Sequence, residues 1–193
     1  MNYTVILSLV AAAFLSQNGL LTGFLGSGTA VRQLKGVRSA LALGGSATLV
    51  MVLSTPLTWM VDGLLLRTYG LEYLRLLAFV LLIVLVEELL RALLGLLPGL
   101  RGAVNELLPL AAVNSAVLGG ALLWAEARST FGEAVLSAAL LGAAYTVTAV
   151  LLASVQGRLI FSDCPRAFKG APIALVTAGL LAMAFMGFAG LRF

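Results

Sequence analysis

Two short patterns repeat inside long apolar runs of this 193-residue chain. Asn18 is followed by Gly23, and Asn114 by Gly119, each with four residues between. A second echo follows each: Leu43-Gly44 with Thr48, and Leu141-Gly142 with Thr146. The two offsets agree to within two positions. An asparagine amide both donates and accepts hydrogen bonds. Beside glycine in an apolar run it has two readings. One is a close contact between helices built from small residues. The other is a broken helix whose freed backbone groups are satisfied by the amide. A matched pair of such breaks makes a site between two halves of a membrane protein, and the repetition favours that reading.

Charge inside the apolar runs is the next signal. Glu87 and Glu88 follow a charge-free run from Leu76 to Val86. A charge at mid-membrane costs about 2.5–3.5 kcal/mol on insertion scales. Glu88 can reach Arg91 three positions on, which would neutralise it. The functional reading is a carboxylate that attracts cations; the plain reading is a helix end near the headgroups. Asn18, Asn114 and Glu88 are the candidates for an ion or electron path. Asp62 and Glu106 read as cap or interface residues, since an acid at a helix start favours the dipole. Cys164, in Ser162-Asp163-Cys164-Pro165, reads as an incidental loop thiol.

What is missing narrows the chemistry further. The chain has no histidine and one cysteine. That excludes most zinc enzymes, Ser-His triads, internal disulfides and a self-contained iron–sulfur site. No phosphate loop or dinucleotide fingerprint occurs, and Gly26-x-Gly28 has no strand before it. No catalytic residue is assigned.

These residues must be held by membrane helices. Hydrophobic residues make up 61% and charged residues 10%, with a mean hydropathy of +1.09. A soluble domain has about a quarter charged residues. Six segments are long enough to span: about 3–25, 37–61, 71–97, 103–124, 131–155 and 171–191. The first lacks a basic flank and is too long for a cleavable signal. Pro56 and Pro109 predict kinks. Trp59 and Trp124 fall at span ends on one face, as an aromatic belt requires. The net charge of +4 comes from scattered Lys and Arg, so it reads as topology and not as nucleic-acid binding. Eight of the 12 Lys and Arg fall on the face of the first, third and fifth connections, Arg32, Lys35 and Arg38 in the first alone. That face is expected to be cytoplasmic, with the N-terminus outside.

The expected fold is an all-α integral membrane protein in one domain, 1–193. Its six transmembrane helices form two inverted three-helix repeats, about 1–98 and 99–193, with the first and fourth helices interrupted. An odd number of helices per repeat forces the second copy in upside down.

The chain resembles a known family, that of the A subunit of the Rnf electron-transport complex, itself similar to the E subunit of the sodium-pumping NADH:quinone reductase. The motifs that carry this cover the whole chain. They are the final helix from Ile173 to Leu191, Phe24-Leu25-Gly26, Tyr73-Leu74-Arg75 with Ala78-Phe79, Leu108-Pro109-Leu110 with Asn114 and Ala116-Val117-Leu118-Gly119, and Pro165 with Phe168 and Gly170.

The resemblance implies a subunit of a redox-driven translocase in a bacterial or archaeal cytoplasmic (inner) membrane, coupling electron transfer to Na⁺ or H⁺ movement. It also implies other Rnf/Nqr-type subunits, and a homologous partner subunit of opposite topology. In the family the two share a [2Fe–2S] cluster, each giving two cysteines. The positions matching those cysteines here are Gly28 and Ser115. Glycine has no side chain, and serine is a hard donor that ionises far less readily than a thiol. The expectation is a non-catalytic, cluster-less variant with no cofactor of its own. The alternative is a stand-alone small ion or solute transporter or channel using an inverted-repeat site.

Overall fold

The computed structural model describes residues 36–96, 108, 109, 111, 114–159, 165 and 168–187. The expected first span, Asn18, Gly28, Glu106 and Cys164 lie outside the described residues. Among the described residues five α-helices follow one another: α1 (Val37–Val61), α2 (Arg75–Leu94), α3 (Ser115–Glu126), α4 (Phe131–Leu159) and α5 (Ala171–Met186). A π-turn, Asp62–Leu66, extends α1, and a 3-10 turn, Glu72–Leu74, leads into α2. No strand occurs among the described residues, so the all-α expectation holds.

Val37–Leu66 and Phe131–Leu159 are long and apolar enough to cross a membrane by length and composition. The second expected span has the limits of α1, and the fifth runs on to Leu159 as α4. The third, expected over 71–97, begins later as α2 and carries Glu87, Glu88 and Arg91 near its end.

Polar residues sit in α1 at no cost in unpaired hydroxyls. Ser46, Thr48, Ser54, Thr55 and Thr58 each donate to a carbonyl three or four residues back. This back-bonding lets small polar residues live where no water can serve them. Pro56 lies within α1, and the helix continues through it. At α5, Gly170 takes a φ of 91°, a left-handed value that favours glycine, so the chain can turn into the helix just before Pro172.

The main packing contact is α1 against α4, and the reason lies in two glycines. A Cβ at Gly44 would lie 2.6 Å from Thr146 Oγ1, and one at Gly142 would lie 2.7 Å from Thr48 Cγ2. In each case the partner's Cα is only 2.8 Å away, so the backbones touch. The contacts run in opposite chain directions, so α1 and α4 exchange by a local two-fold relation. On α2, Leu77, Leu81, Leu85 and Leu89 are exposed, an apolar stripe suited to lipid.

The far end of α1 closes on a buried charge cluster. Asp62, read from the sequence as a cap or interface residue, is 1% exposed. Its two oxygens take Arg67 Nη2 at 2.6 Å and Arg75 Nε at 2.8 Å. Arg67 Nη2 also donates to the Ala125 carbonyl at 2.8 Å, tying the π-turn to the end of α3. Both tryptophans stand at this end, but only Trp59 is partly exposed, donating to the Ser129 carbonyl at 3.1 Å. Trp124 is 3% exposed and stacks on Phe79 at 5.6 Å, so it is a core residue and not part of a belt.

Candidate functional site

Asn114 is the polar centre of the described structure. Residues 108, 109 and 111 are helical, Asn114 is extended (φ −73°, ψ 117°), and α3 starts at the next residue. The helical path is therefore interrupted where the sequence placed a break. The helix-capping preference of asparagine explains the position. Asn114 Oδ1 accepts from the Ala116 amide at 3.1 Å, satisfying a donor that the helix start leaves over. Its Nδ2 donates to Tyr145 Oη on α4 at 2.8 Å. With 1% exposure, the amide is fully committed within the protein.

Tyr145 was not singled out from the sequence. A hydroxyl-bearing aromatic beside Thr146 in an apolar run was the available signal, because a buried tyrosine hydroxyl needs a partner. It lies next to the α1–α4 crossing, where Thr48 Oγ1 and Thr146 Oγ1 stand 3.2 Å apart. Each threonine also donates to the carbonyl of its own glycine, Gly44 at 2.8 Å and Gly142 at 2.9 Å. The broken helix and the two-fold crossing thus share α4 through adjacent residues.

The other candidates fall apart from this centre. Ser115 is the first residue of α3 and is exposed on the described surface. Glu88 turns outward and pairs with Arg91 at 2.8 Å, as the three-residue spacing predicted. One position earlier the helix turns inward, and Glu87 is 4% exposed. Among the described residues, no group of three or more Cys, Asp or Glu comes together to hold a metal.

Comparison with known proteins decides the family. A family model described as Rnf-Nqr subunit, membrane protein, matches residues 6–192. The chain belongs to this family. It is 38% identical over 186 residues to the A subunit of the ion-translocating oxidoreductase complex of Azoarcus sp. (strain BH72), covering 96% of each chain. The identity to the protein of the same name from Cronobacter sakazakii is also 38%, again over 96% of each. It is 35% identical over 190 residues to the A subunit of the Na(+)-translocating ferredoxin:NAD(+) oxidoreductase complex of Acetobacterium woodii, covering 98% of each. As a Rnf-Nqr family member the chain is a membrane protein, and its exposed leucine stripe follows from that.

Proposed function

We propose that this chain is the A-type membrane subunit of an ion-translocating oxidoreductase complex, supporting electron transfer coupled to Na⁺ or H⁺ transport. The observation that carries this is the match to proteins of that name over nearly the whole of both chains. Its companions are the other subunits of such a complex, among them a homologue of opposite topology. The six-helix inverted repeat is supported by the reciprocal Gly44–Thr146 and Gly142–Thr48 contacts, which an upside-down second copy would create. The excess of Lys and Arg on alternate connections supports an N-terminus outside an inner membrane.

The protein works without giving thiolates to a shared [2Fe–2S] cluster. Gly28 and Ser115 offer no soft ligand between them, and the one cysteine matches neither place. Its contribution is to hold partners and shape the path through the membrane. Asn18, Asn114 and Glu88 remain the sequence-level candidates along that path.

Affinity purification of the tagged full chain from native membranes tests this. Flavin-bearing partner subunits should co-purify, and deletion of the gene should abolish sodium- or proton-coupled electron transfer in vesicles. Low-temperature EPR and iron analysis of the same preparation test the missing cluster: an intact four-cysteine-type [2Fe–2S] signal requiring this chain overturns that part. A chain that purifies alone and conducts an ion in liposomes overturns the whole reading in favour of a stand-alone transporter.

A further inference from the structure

Glu87 is the buried carboxylate that the preceding reading leaves unused. It is 4% exposed, and its Oε1 is shut off from solvent without a hydrogen-bond partner. Its place on α2 says what it faces. Ile83, Glu87, Leu90 and Leu94 fall at helical spacings that share one stripe. Ile83 is buried in the same apolar cluster as Leu108, Ala111, Ala116 and Val117, and Leu90 and Leu94 pack against that cluster. Those four residues flank the interruption at Asn114. Glu87 therefore lies in the middle of the face that α2 turns toward α1 and the residues flanking the broken helix.

No described cation neutralises it. On its own helix, Glu88 points outward and holds Arg91 at 2.8 Å. The described elements packed against α2 are α1, α3 and the 3-10 turn. Their charged residues are Arg38, Glu126 and Glu72 respectively. The Asp62–Arg75 pair sets the end of α1 level with the start of α2. Glu87, twelve residues on from Arg75, is then ~18 Å along the axis from Glu126, further still from Glu72, and about 18 Å from Arg38 on the other side. An ionised carboxylate with an unmet oxygen among apolar side chains is costly in a membrane. The charge is removed by a proton on that oxygen or by a bound monovalent metal ion.

We propose that Glu87 is a monovalent-cation site, taking H⁺ or Na⁺, on the wall of the Asn114 helix break. A carboxylate beside interrupted helix fits such a site, because unwound backbone supplies further oxygens to a cation. The site extends the translocase reading but is tested by its own chemistry. Failure here leaves the chain's place in a redox complex intact, and purification without redox partners leaves Glu87 as assigned.

The test uses dicyclohexylcarbodiimide, an apolar reagent that modifies protonated carboxyls in membranes. Native membranes containing the full chain are treated across an acid-to-alkaline pH series, with NaCl or KCl, and the Glu87 peptide is followed by mass spectrometry. Modification of Glu87 that is lost as pH rises is expected, and E87Q removes it. Protection by NaCl and not by KCl identifies sodium as the ion, and indifference to both salts identifies the proton. Absence of modification under every condition, or equal modification under all of them, overturns the proposal.

Discussion

Thr48 Oγ1 and Thr146 Oγ1 meet at 3.2 Å across the α1–α4 crossing, 98 positions apart in the chain. Each hydroxyl has one proton and already donates to a carbonyl of its own helix at 2.8 or 2.9 Å. At any moment two protons serve three contacts. The pair therefore marks the crossing point more than it holds it. A double-mutant cycle with Thr48→Val and Thr146→Val should give a coupling of about 0.6 kcal/mol, the average for interhelical hydrogen bonds in membranes. Unfolding in mixed micelles reads it, and a coupling several-fold larger would show the hydroxyl contact itself to be the main tie.

The glycines carry the contact. Gly44→Ala and Gly142→Ala each push a methyl to within 2.8 Å of a threonine backbone atom, which has no rotamer to escape into. Each should cost about 1–3 kcal/mol, the range for overpacking. Gly45→Ala is the control, because nothing lies within 4 Å of its added Cβ. It should be neutral or slightly stabilising, since alanine is the better helix former. Equal losses at Gly44 and Gly45 would refute the close approach.

Asn114 serves two partners, and its substitutions should separate them. Asn114→Ala removes both the cap and the bond to Tyr145, leaving a buried hydroxyl without that donor. A loss of about 1.5–2.5 kcal/mol is expected, from a cap of about 1 and the net worth of one buried hydrogen bond, about 0.5–1.5. Tyr145→Phe keeps the cap and should cost only the second part. Thermal unfolding of the purified protein in detergent gives both values.

Asp62→Asn should destabilise by about 3 kcal/mol. Removing one member of a buried ion pair strands the other: Arg67 loses its acidic partner, and Arg75 keeps only the longer contact to Glu72 at 3.8 Å. The low end of the usual range applies because Arg67 keeps 30% of its side chain exposed. Co-purification with partner subunits after mild heating reads the effect. An unchanged midpoint would make the cluster ornamental.

On the proposed cluster-less reading, adding soft donors should add iron. The pair Gly28→Cys with Ser115→Cys, in the full complex, should raise the iron content of the preparation and produce a low-temperature EPR signal, while Ser115→Cys alone should not. One thiolate gives too few soft ligands for a cluster, whereas two match the number that the resemblance implies for this subunit.

The membrane class was legible because composition alone forbids a soluble core, and the limits of α1 were legible because glycine and charge bound one apolar run. The break at Asn114 was legible from the repeated asparagine–glycine pattern, because an asparagine amide caps a helix start and the repetition favoured a break over a plain helix contact. The inward turn of Glu87 in place of Glu88 was not. Adjacent helical residues differ by about a quarter-turn, and which one faces the neighbours depends on how α2 is rotated against α1 and α3. The burial of Trp124 and of Asp62 was hidden for the same reason. Both look interfacial from position; Trp124 is covered by Phe79, 45 positions away, and Asp62 by Arg67 and Arg75, which the turn after α1 folds back onto it.

By itself the sequence determined the solvent of this protein, the repeat of Gly44 with Thr48 at Gly142 with Thr146, and the absence of a thiol at Gly28 and Ser115, because these depend on residue type and spacing. The tertiary structure alone decided that α1 and α4 lock into each other, that Tyr145 answers Asn114, and that one of two neighbouring carboxylates is shut away from solvent. Those facts depend on helix rotation and on contacts between distant segments, which no local pattern encodes.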